Sequence, residues 1–335
     1  MMRSLRGMSF LNYNWPTRSL VVSFALVLIW AAHPLTARQS TNPAPSAASL
    51  VSTWTLTTFE QGVSGGPAAR VTNPRGLLVL DAAGHAFEFV TSSATQRTAA
   101  GQVPIADAPA AFAAYGGFWG QYRVDETQKT ITYRPESGLH PQIGGKEFSR
   151  SFSLDENRLT ITSTSEPYTT AGTRWVWDRV PVIDNLSPLY RNVVGFWRHI
   201  VEKRVNPTTG TVGSETKRSP SVIVYTPAGF VGVHFPPLNR KPFAADAPTP
   251  EEAQGALRGY IGYYGALTVY PGQVFHNILA GVSPIGGSIL RRSAVISGDE
   301  LTVQLPATRN QQGEDAQTIV ILKRLSGATD MLPRP

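Results

Sequence analysis

The chain has 335 residues, with 30 basic and 23 acidic side chains and no cysteine. The absence of cysteine excludes disulfide bonds, thiolate metal sites and a thiol nucleophile. Beyond the first 37 residues the lysines and arginines cluster only as doublets, whereas a nucleic-acid-binding surface needs a basic stripe, so no nucleic-acid partner is expected.

The first 37 residues have the pattern of a secretory signal peptide. Arg3, Arg6 and Arg18 precede and flank a 13-residue apolar run from Leu20 to Ala32, and a small residue, Ala37, follows. This predicts cleavage near Ala37, an exported protein in the periplasm or outside the cell, and a net charge that falls from +7 to +4. An uncleaved anchor is the alternative, but the run is shorter than the ~20 residues that span a bilayer, so we expect no stable membrane span after cleavage. The Pro-, Ser- and Ala-rich segment 38–48 is predicted to be a disordered tether.

The next feature is a sequence segment that occurs twice, which we call the repeated phrase. The sequence AAYGGFWGQYRV at 113–124 matches RGYIGYYGALTV at 258–269, and further matches on either side keep an offset of 142 to 145 residues. Such a constant offset indicates a tandem duplication. We predict two domains at 49–182 and 193–327, a linker at 183–192 and a tail at 328–335.

Each copy consists mainly of short runs of β-branched and aromatic residues separated by turn residues, which indicates an all-β fold. One short helix per copy is expected before the repeated phrase. In the second copy, Thr249, Pro250 and Glu252 form a capping-box pattern, and Ala253 and Leu257 follow on one face. The first copy has no such glutamate, so its helix should be shorter.

Three segments of the chain resemble the lipocalin-like domain family of bacteria and fungi. They are NPRGLLVLDAAGH (73–85), LDENRLTIT (154–162) and TPEEAQGALRGYIGYYGALTV (249–269). The resemblance implies two tandem up-and-down β-barrels, each with a lumen for one small apolar ligand. The P-R-G motif survives only in the first copy and T-P-E-E only in the second, so the two pockets are not expected to be equivalent.

Alternation along the repeated strand then predicts which side chains face the implied lumen. Phe118, Tyr122 and Val124 share one face, and Tyr263, Leu267 and Val269 are their counterparts. Tyr133 aligns with His276 on the following strand, where either side chain offers a polar group in the lumen or is an ordinary core residue. The candidate ligand-binding residues are therefore Phe118, Tyr122, Tyr133, Tyr263, Leu267 and His276.

Motifs for catalysis and metal binding are weak. GVSGG at 62–66 matches a nucleophile elbow, but no helix is predicted after it. The six histidines show no compact ligand spacing. Glu136 and His140 would form an acid–base pair only if both faced a pocket, and a polar surface loop is the favoured interpretation. We therefore predict no catalytic residue, no metal and no cofactor.

The leading hypothesis is an exported tandem lipocalin-like protein that binds a small hydrophobic or amphipathic molecule in one or both barrels. Two alternatives stay open: an isomerase or cyclase for a polyketide- or polyene-like substrate, and a structural envelope protein that binds nothing. For the repeated phrase, Tyr263→Ala is expected to weaken ligand binding in a folded barrel. Gly265→Val is expected to damage folding by a collision under the helix.

Overall fold

The computed structural model describes residues 46–63, 66–92, 103–165, 169–217, 220–282, 287–309, 313 and 315–326. The predicted signal peptide (1–37), most of the predicted tether and the predicted tail (328–335) lie outside the described residues.

The first half of the chain forms one closed antiparallel barrel, which we call barrel 1. Its strands follow one another around the sheet in chain order, and β1 closes the ring by pairing with β9. Within the described residues, eight strands make the ring, and β2 pairs with the C-terminal end of β1. The strands are β1 (Ser52–Val63), β2 (Gly66–Arg70), β3 (Arg75–Leu80), β4 (His85–Thr91), β5 (Tyr115–Asp125), β6 (Thr130–Gly138), β7 (Phe148–Asp155), β8 (Arg158–Ser165) and β9 (Arg174–Val180).

The second half repeats this plan as barrel 2, with β10 closing onto β19. Both halves are all-β, as the residue pattern predicts, and both are up-and-down barrels, as the resemblance to the lipocalin-like domain family implies. The short strands β11 and β18 extend the ends of β10 and β19. The strands are β10 (Gly195–Val205), β11 (Val212–Thr216), β12 (Val222–Tyr225), β13 (Phe230–Phe235), β14 (Ile261–Tyr270), β15 (Gln273–Gly281), β16 (Ile289–Ser297), β17 (Glu300–Gln304), β18 (Thr308–Arg309) and β19 (Asp315–Arg324).

A short helix stands before the first strand of each barrel, α1 (Ala47–Leu50) and α3 (Pro188–Val193), and neither helix is predicted from the sequence. Each holds a fully buried tryptophan: Trp54 Nε1 donates to the Leu50 carbonyl at 3.1 Å, and Trp197 Nε1 donates to the Val193 carbonyl at 2.6 Å. Arginines of β9 and β19 lie over these rings at 4.2 and 4.1 Å. Most of α3 falls in the segment predicted as a linker, 183–192.

The predicted helix before each repeated phrase is present as α2 (Ala108–Ala113) and α4 (Pro250–Leu257). In α4 the capping box is complete, because Thr249 accepts from the Glu252 amide and Glu252 accepts from the Thr249 amide. In α2 Asp107 makes no capping hydrogen bond, and this helix is two residues shorter. The two helices pack against each other across the barrels.

The apolar side chains form three cores, one inside each barrel and one between them. The core between the barrels takes its residues from the outer faces of the strands and from α2 and α4, and it includes Phe87, Phe89, Phe112, Trp119, Val222, Val224, Leu257, Tyr260 and Tyr264. Both barrels accordingly belong to one compact unit. Among the described residues, no helix has the length and apolar character needed to cross a bilayer.

The glycines of the repeated phrase are explained by the neighbouring strand rather than by the helix. A β-bulge interrupts the pairing of β5 with β6 at Gly120 and that of β14 with β15 at Gly265. A Cβ atom on Gly120 would lie 2.3 Å from the Arg134 carbonyl oxygen, and one on Gly265 would lie 2.4 Å from the Asn277 carbonyl oxygen. The sequence interpretation of a collision under the helix is therefore wrong about the partner, which is strand backbone.

Candidate functional site: two barrel cavities

The lumen of barrel 2 contains a cavity of about 310 Å³. Most of its wall is aliphatic or aromatic, and its polar groups come from four strands. The lining residues are Glu202, Ile223, Val233, Phe235, Ile261, Tyr263, Leu290, Arg292, Val303, Leu305, Thr318 and Val320. A largely apolar cavity with a few fixed polar groups is typical of a small-molecule site.

A buried hydrogen-bond chain lies behind one wall of this cavity. Tyr263 Oη lies 2.7 Å from His276 Nδ1, and Tyr225 Oη lies 3.1 Å from His276 Nε2. Arg292 is hydrogen bonded to Tyr263. Because a guanidinium can only donate, the Tyr263 hydroxyl accepts from Arg292 and uses its own proton on His276 Nδ1. His276 Nε2–H then donates to Tyr225, so the chain has one direction.

The groups of this hydrogen-bond chain are uncharged at neutral pH apart from Arg292. Burial raises the pKa of the Tyr225 and Tyr263 hydroxyls. Burial also lowers the pKa of the His276 imidazole well below its usual range, and the positive charge of Arg292 adds to this lowering. Arg292 therefore supplies the positive charge on this side of the cavity.

Barrel 1 contains a second cavity, of about 290 Å³, whose polar centre is an ion pair. Arg150 Nη1 lies 2.5 Å from Glu88 Oε2, and both side chains are only 4% exposed. Four aromatic rings surround the guanidinium at 4.3 to 5.7 Å from its central carbon, and they belong to Phe118, Tyr133, Phe148 and Trp175. This arginine thus has both a buried counter-ion and cation–π partners.

The mouth of the barrel 1 cavity is built by both halves of the chain. Asp246 and Pro248, from the loop that precedes α4, line it together with His140 and Phe112 of barrel 1. The His140 ring packs against Phe243 of the same loop at 4.7 Å. Burial lowers the pKa of His140 to about 4, so this side chain is neutral at the mouth.

The six residues predicted to bind a ligand lie in the barrel interiors, and two of them line the two cavities described above. Phe118 lines the cavity of barrel 1 and Tyr263 lines that of barrel 2. His276 lies directly behind Tyr263. Tyr122, Tyr133 and Leu267 belong to the surrounding cores, and the Tyr122 hydroxyl donates to the Asp81 carbonyl. Ligand binding by all six stays a prediction.

Sequence reasoning missed the polar groups that distinguish the two cavities, Arg150 with Glu88 and Arg292. A signal for the arginines was present, because the dipeptide Arg-Ser recurs at 150 and 292 with the offset of the duplication. The Glu136–His140 pair is not assembled: Glu136 instead binds Arg198 of barrel 2, with its two carboxylate oxygens 2.9 and 2.8 Å from Nη2. Within the described part of the chain, no three His, Cys, Asp or Glu side chains group as metal ligands would.

Comparison with known protein families identifies a match for the first half of the chain. A family model described as a lipocalin-like domain matches residues 50–180, which is barrel 1. No curated protein matches the sequence.

Two solved structures align only loosely with the chain. The dehydratase domain of PpsC from Mycobacterium tuberculosis in complex with C12:1-CoA aligns at 15% identity over 74% of this chain and 97% of that chain, with a TM-score of 0.13. The bifunctional dehydratase-cyclase domain in ambruticin biosynthesis aligns at 11% identity over 83% of this chain and 75% of that chain, with a TM-score of 0.10. TM-scores of this size do not indicate a shared fold.

Proposed function

We propose, because a lipocalin-like domain model matches residues 50–180, that this protein binds a small hydrophobic or amphipathic molecule inside a barrel, and that barrel 2 is the principal site. The observation that carries the proposal is the apolar cavity of about 310 Å³ in the lumen of barrel 2. Burial of an apolar ligand there would be favourable by about 25 cal/mol for each Å² removed from water.

Residue replacements between the two copies support barrel 2 as the site. Trp175 pairs with Ile161 in barrel 1, and Val320 pairs with Val303 at the equivalent place in barrel 2. Phe148 of barrel 1 is likewise replaced by Leu290, since they pair with Tyr133 and His276 respectively. Two large rings that pack around Arg150 are thus small side chains in barrel 2, and this leaves space beside Arg292.

We further propose that the protein is exported to the periplasm or the cell exterior. The arginines and the 13-residue apolar run before Ala37 support this proposal. N-terminal sequencing of the protein recovered from the producing cells tests it, and an intact Met1 on cytosolic protein would contradict it.

Refilling the lumen of barrel 2 tests the binding proposal. Val320→Trp restores the side chain that barrel 1 has at this place, and we expect it to abolish binding of an uncharged apolar fluorophore such as phenylnaphthylamine. The ring occupies the space that the probe needs, while packing inside the barrel keeps the fold. Fluorescence titration of the purified full chain measures the affinity, and thermal unfolding checks the fold.

Val295→Trp is the matched control, because Val295 is 60% exposed on β16 and the same ring is added outside the lumen. This variant should bind the probe like the unmodified protein. Probe binding that survives Val320→Trp in a folded protein would show that the lumen of barrel 2 is not the site. In a separate experiment, mass spectrometry of small molecules released from the purified unmodified protein would identify the natural ligand.

A further inference from the structure

The duplication has kept one inward-facing arginine in each barrel. Arg150 pairs with Ile131 across β6 and β7, and Arg292 pairs with Val274 across β15 and β16, at the same place in the repeat. Each side chain lines the cavity of its own barrel. An arginine inside an apolar lumen is costly unless its charge is compensated, so its partners decide what each cavity accepts.

In barrel 1 the compensation is internal. Glu88 on β4 faces Phe118 on β5 and binds Arg150 at 2.5 Å. An added anion would have to displace a buried carboxylate that is already bound to the guanidinium. The cavity of barrel 1 is therefore not suited to an anionic head group.

In barrel 2 the carboxylate of that position is missing. The residue on β13 that faces Tyr263 is Val233, so a valine stands where barrel 1 has Glu88. Arg292 donates to the neutral Tyr263 hydroxyl, and the tryptophan position next to the arginine is Val320. Both the counter-ion and the nearest ring of barrel 1 are thus replaced by small aliphatic side chains beside Arg292.

We propose that the cavity of barrel 2 takes an amphipathic acid, with its carboxylate on Arg292 and its apolar chain along the aliphatic wall. This inference deepens the proposed function and rests on it. A carboxylate accepts two parallel hydrogen bonds from a guanidinium, and such charge-assisted bonds are about twice as strong as neutral ones. The ligand would supply in barrel 2 the anion that Glu88 supplies in barrel 1.

Glu202 on β10 is the one carboxylate among the residues that line this cavity. It occupies the place of Phe59, because these residues pair with Val320 and Trp175 respectively. The carboxylate that lines the cavity of barrel 2 therefore stands on β10, whereas that of barrel 1 stands on β4. The proposal requires that a ligand carboxylate bind Arg292 with Glu202 present, so Glu202 is left unchanged in the test.

The experiment compares decanoate with decanol, which share one apolar chain and differ in the charged head. Affinities are measured by displacement of phenylnaphthylamine from the delipidated full chain near neutral pH, where the acid is ionised. We expect decanoate to bind at least about tenfold more tightly than decanol, because the binding free energy of one charge-assisted hydrogen bond corresponds to a difference of this size. Arg292→Gln should bring the two affinities together, whereas Arg291→Gln, on the exposed side of the same strand, should keep the difference.

A second variant recreates barrel 1 inside barrel 2 and keeps Arg292 in place. Val233→Glu puts a carboxylate where Glu88 lies in barrel 1, and we expect it to remove the preference for decanoate. Val233→Gln has a similar size without the charge, and it should keep the preference. These two variants decide the matter if Arg292→Gln does not fold, as judged by circular dichroism.

The outcomes separate this inference from the proposed function. Equal affinities for both compounds, both abolished by Val320→Trp, would overturn the acid preference and leave barrel 2 as the binding site. A preference that Arg291→Gln removes as fully as Arg292→Gln would reflect surface charge and would also overturn it. Binding of neither compound or of the fluorophore would contradict the proposed function itself.

Discussion

Single buried polar side chains have fixed hydrogen-bonding roles, both between the barrels and inside barrel 2. His234 Nε2 lies 2.9 Å from the Glu88 carbonyl oxygen and must donate to it, so its Nδ1 accepts from the Tyr260 hydroxyl at 2.8 Å. Neutral His276 similarly accepts at Nδ1 and donates at Nε2. The Tyr263 hydroxyl is one of these partners, so Tyr263→Ala would also remove the donor to His276. The expectation from sequence that the barrel stays folded after this substitution did not include that hydrogen bond.

The buried histidines predict that acid destabilises the fold. Burial lowers the pKa of His234 to about 4, and it lowers that of His276 well below the ordinary value of about 6.5. Their contribution to stability is complete above pH ~6.5 and is lost as the pH falls toward the folded pKa, because only the unfolded state then binds the proton. Each pH unit in that window costs about 1.4 kcal/mol for each histidine.

Urea denaturation between pH 7 and pH 5 would measure this effect. We expect the free energy of unfolding to fall as the pH decreases across this interval. His276→Gln keeps one donor and one acceptor and cannot take up a proton, so its loss on acidification should be smaller. A free energy of unfolding that is unchanged over the interval would contradict the prediction.

Within the strands, the bulges of β5 and β14 explain why the repeated phrase keeps its glycines. At Gly120 and Gly265 the register with the next strand shifts, and the backbone of that strand comes within 2.3 to 2.4 Å of an added Cβ. Strand backbone cannot move aside as a flexible side chain can. A bulge also bends the strand and increases its twist, which helps a sheet to close into a barrel.

Two glycine substitutions with opposite expected results test this explanation. Gly265→Ala should lower the thermal midpoint of unfolding, because its Cβ meets the Asn277 carbonyl oxygen at 2.4 Å. Gly255→Ala, in α4, should raise stability by about 0.5–1 kcal/mol, because no atom lies within 4 Å of its Cβ and alanine favours a helix. The bulge explanation fails if Gly265→Ala is as stable as the unmodified protein.

At the scale of the whole molecule, the two barrels are joined by a core that neither could complete alone. Phe89 of β4 packs against Tyr264 of β14 with ring centroids 5.7 Å apart. Arg240 donates to the carbonyls of Leu139 and Gly138 at 2.7 and 2.9 Å. Glu136 and Arg198 add an ion pair between the barrels, with side chains 13% and 6% exposed. The barrels should therefore unfold together.

Breaking this ion pair from one side tests how strongly the barrels depend on each other. Arg198→Ala leaves the Glu136 carboxylate buried without its arginine, and loss of one partner of a buried pair costs about 3–5 kcal/mol. Arg123→Ala is the control, because the Arg123–Glu147 pair is exposed and such pairs contribute about 0–1 kcal/mol. Equal effects of the two substitutions on the free energy of unfolding in urea would show that the interface pair contributes no more to stability than an exposed pair.

Much of this architecture could be predicted from the sequence alone. The repeat at a constant offset gave two copies, and the alternation along each strand placed Phe118 and Tyr263 toward a lumen. The capping residues of α4 marked its start, because capping depends on residues three apart in the chain. Local patterns of this kind are complete within a few residues, so they can be recognised without a structure.

Only the tertiary structure decided how the copies meet and how their cavities differ. Trp119 and Tyr264 face outward from their barrels, and the sequence does not show that a second barrel covers them. The pairing of Glu88 with Arg150 joins residues 62 positions apart, and the absence of that partner beside Arg292 follows only from strand register. The sequence determined two barrels with apolar lumens. The three-dimensional packing determined that the arginine of barrel 1 has a buried carboxylate beside it, because ion pairing depends on distance in space and not along the chain.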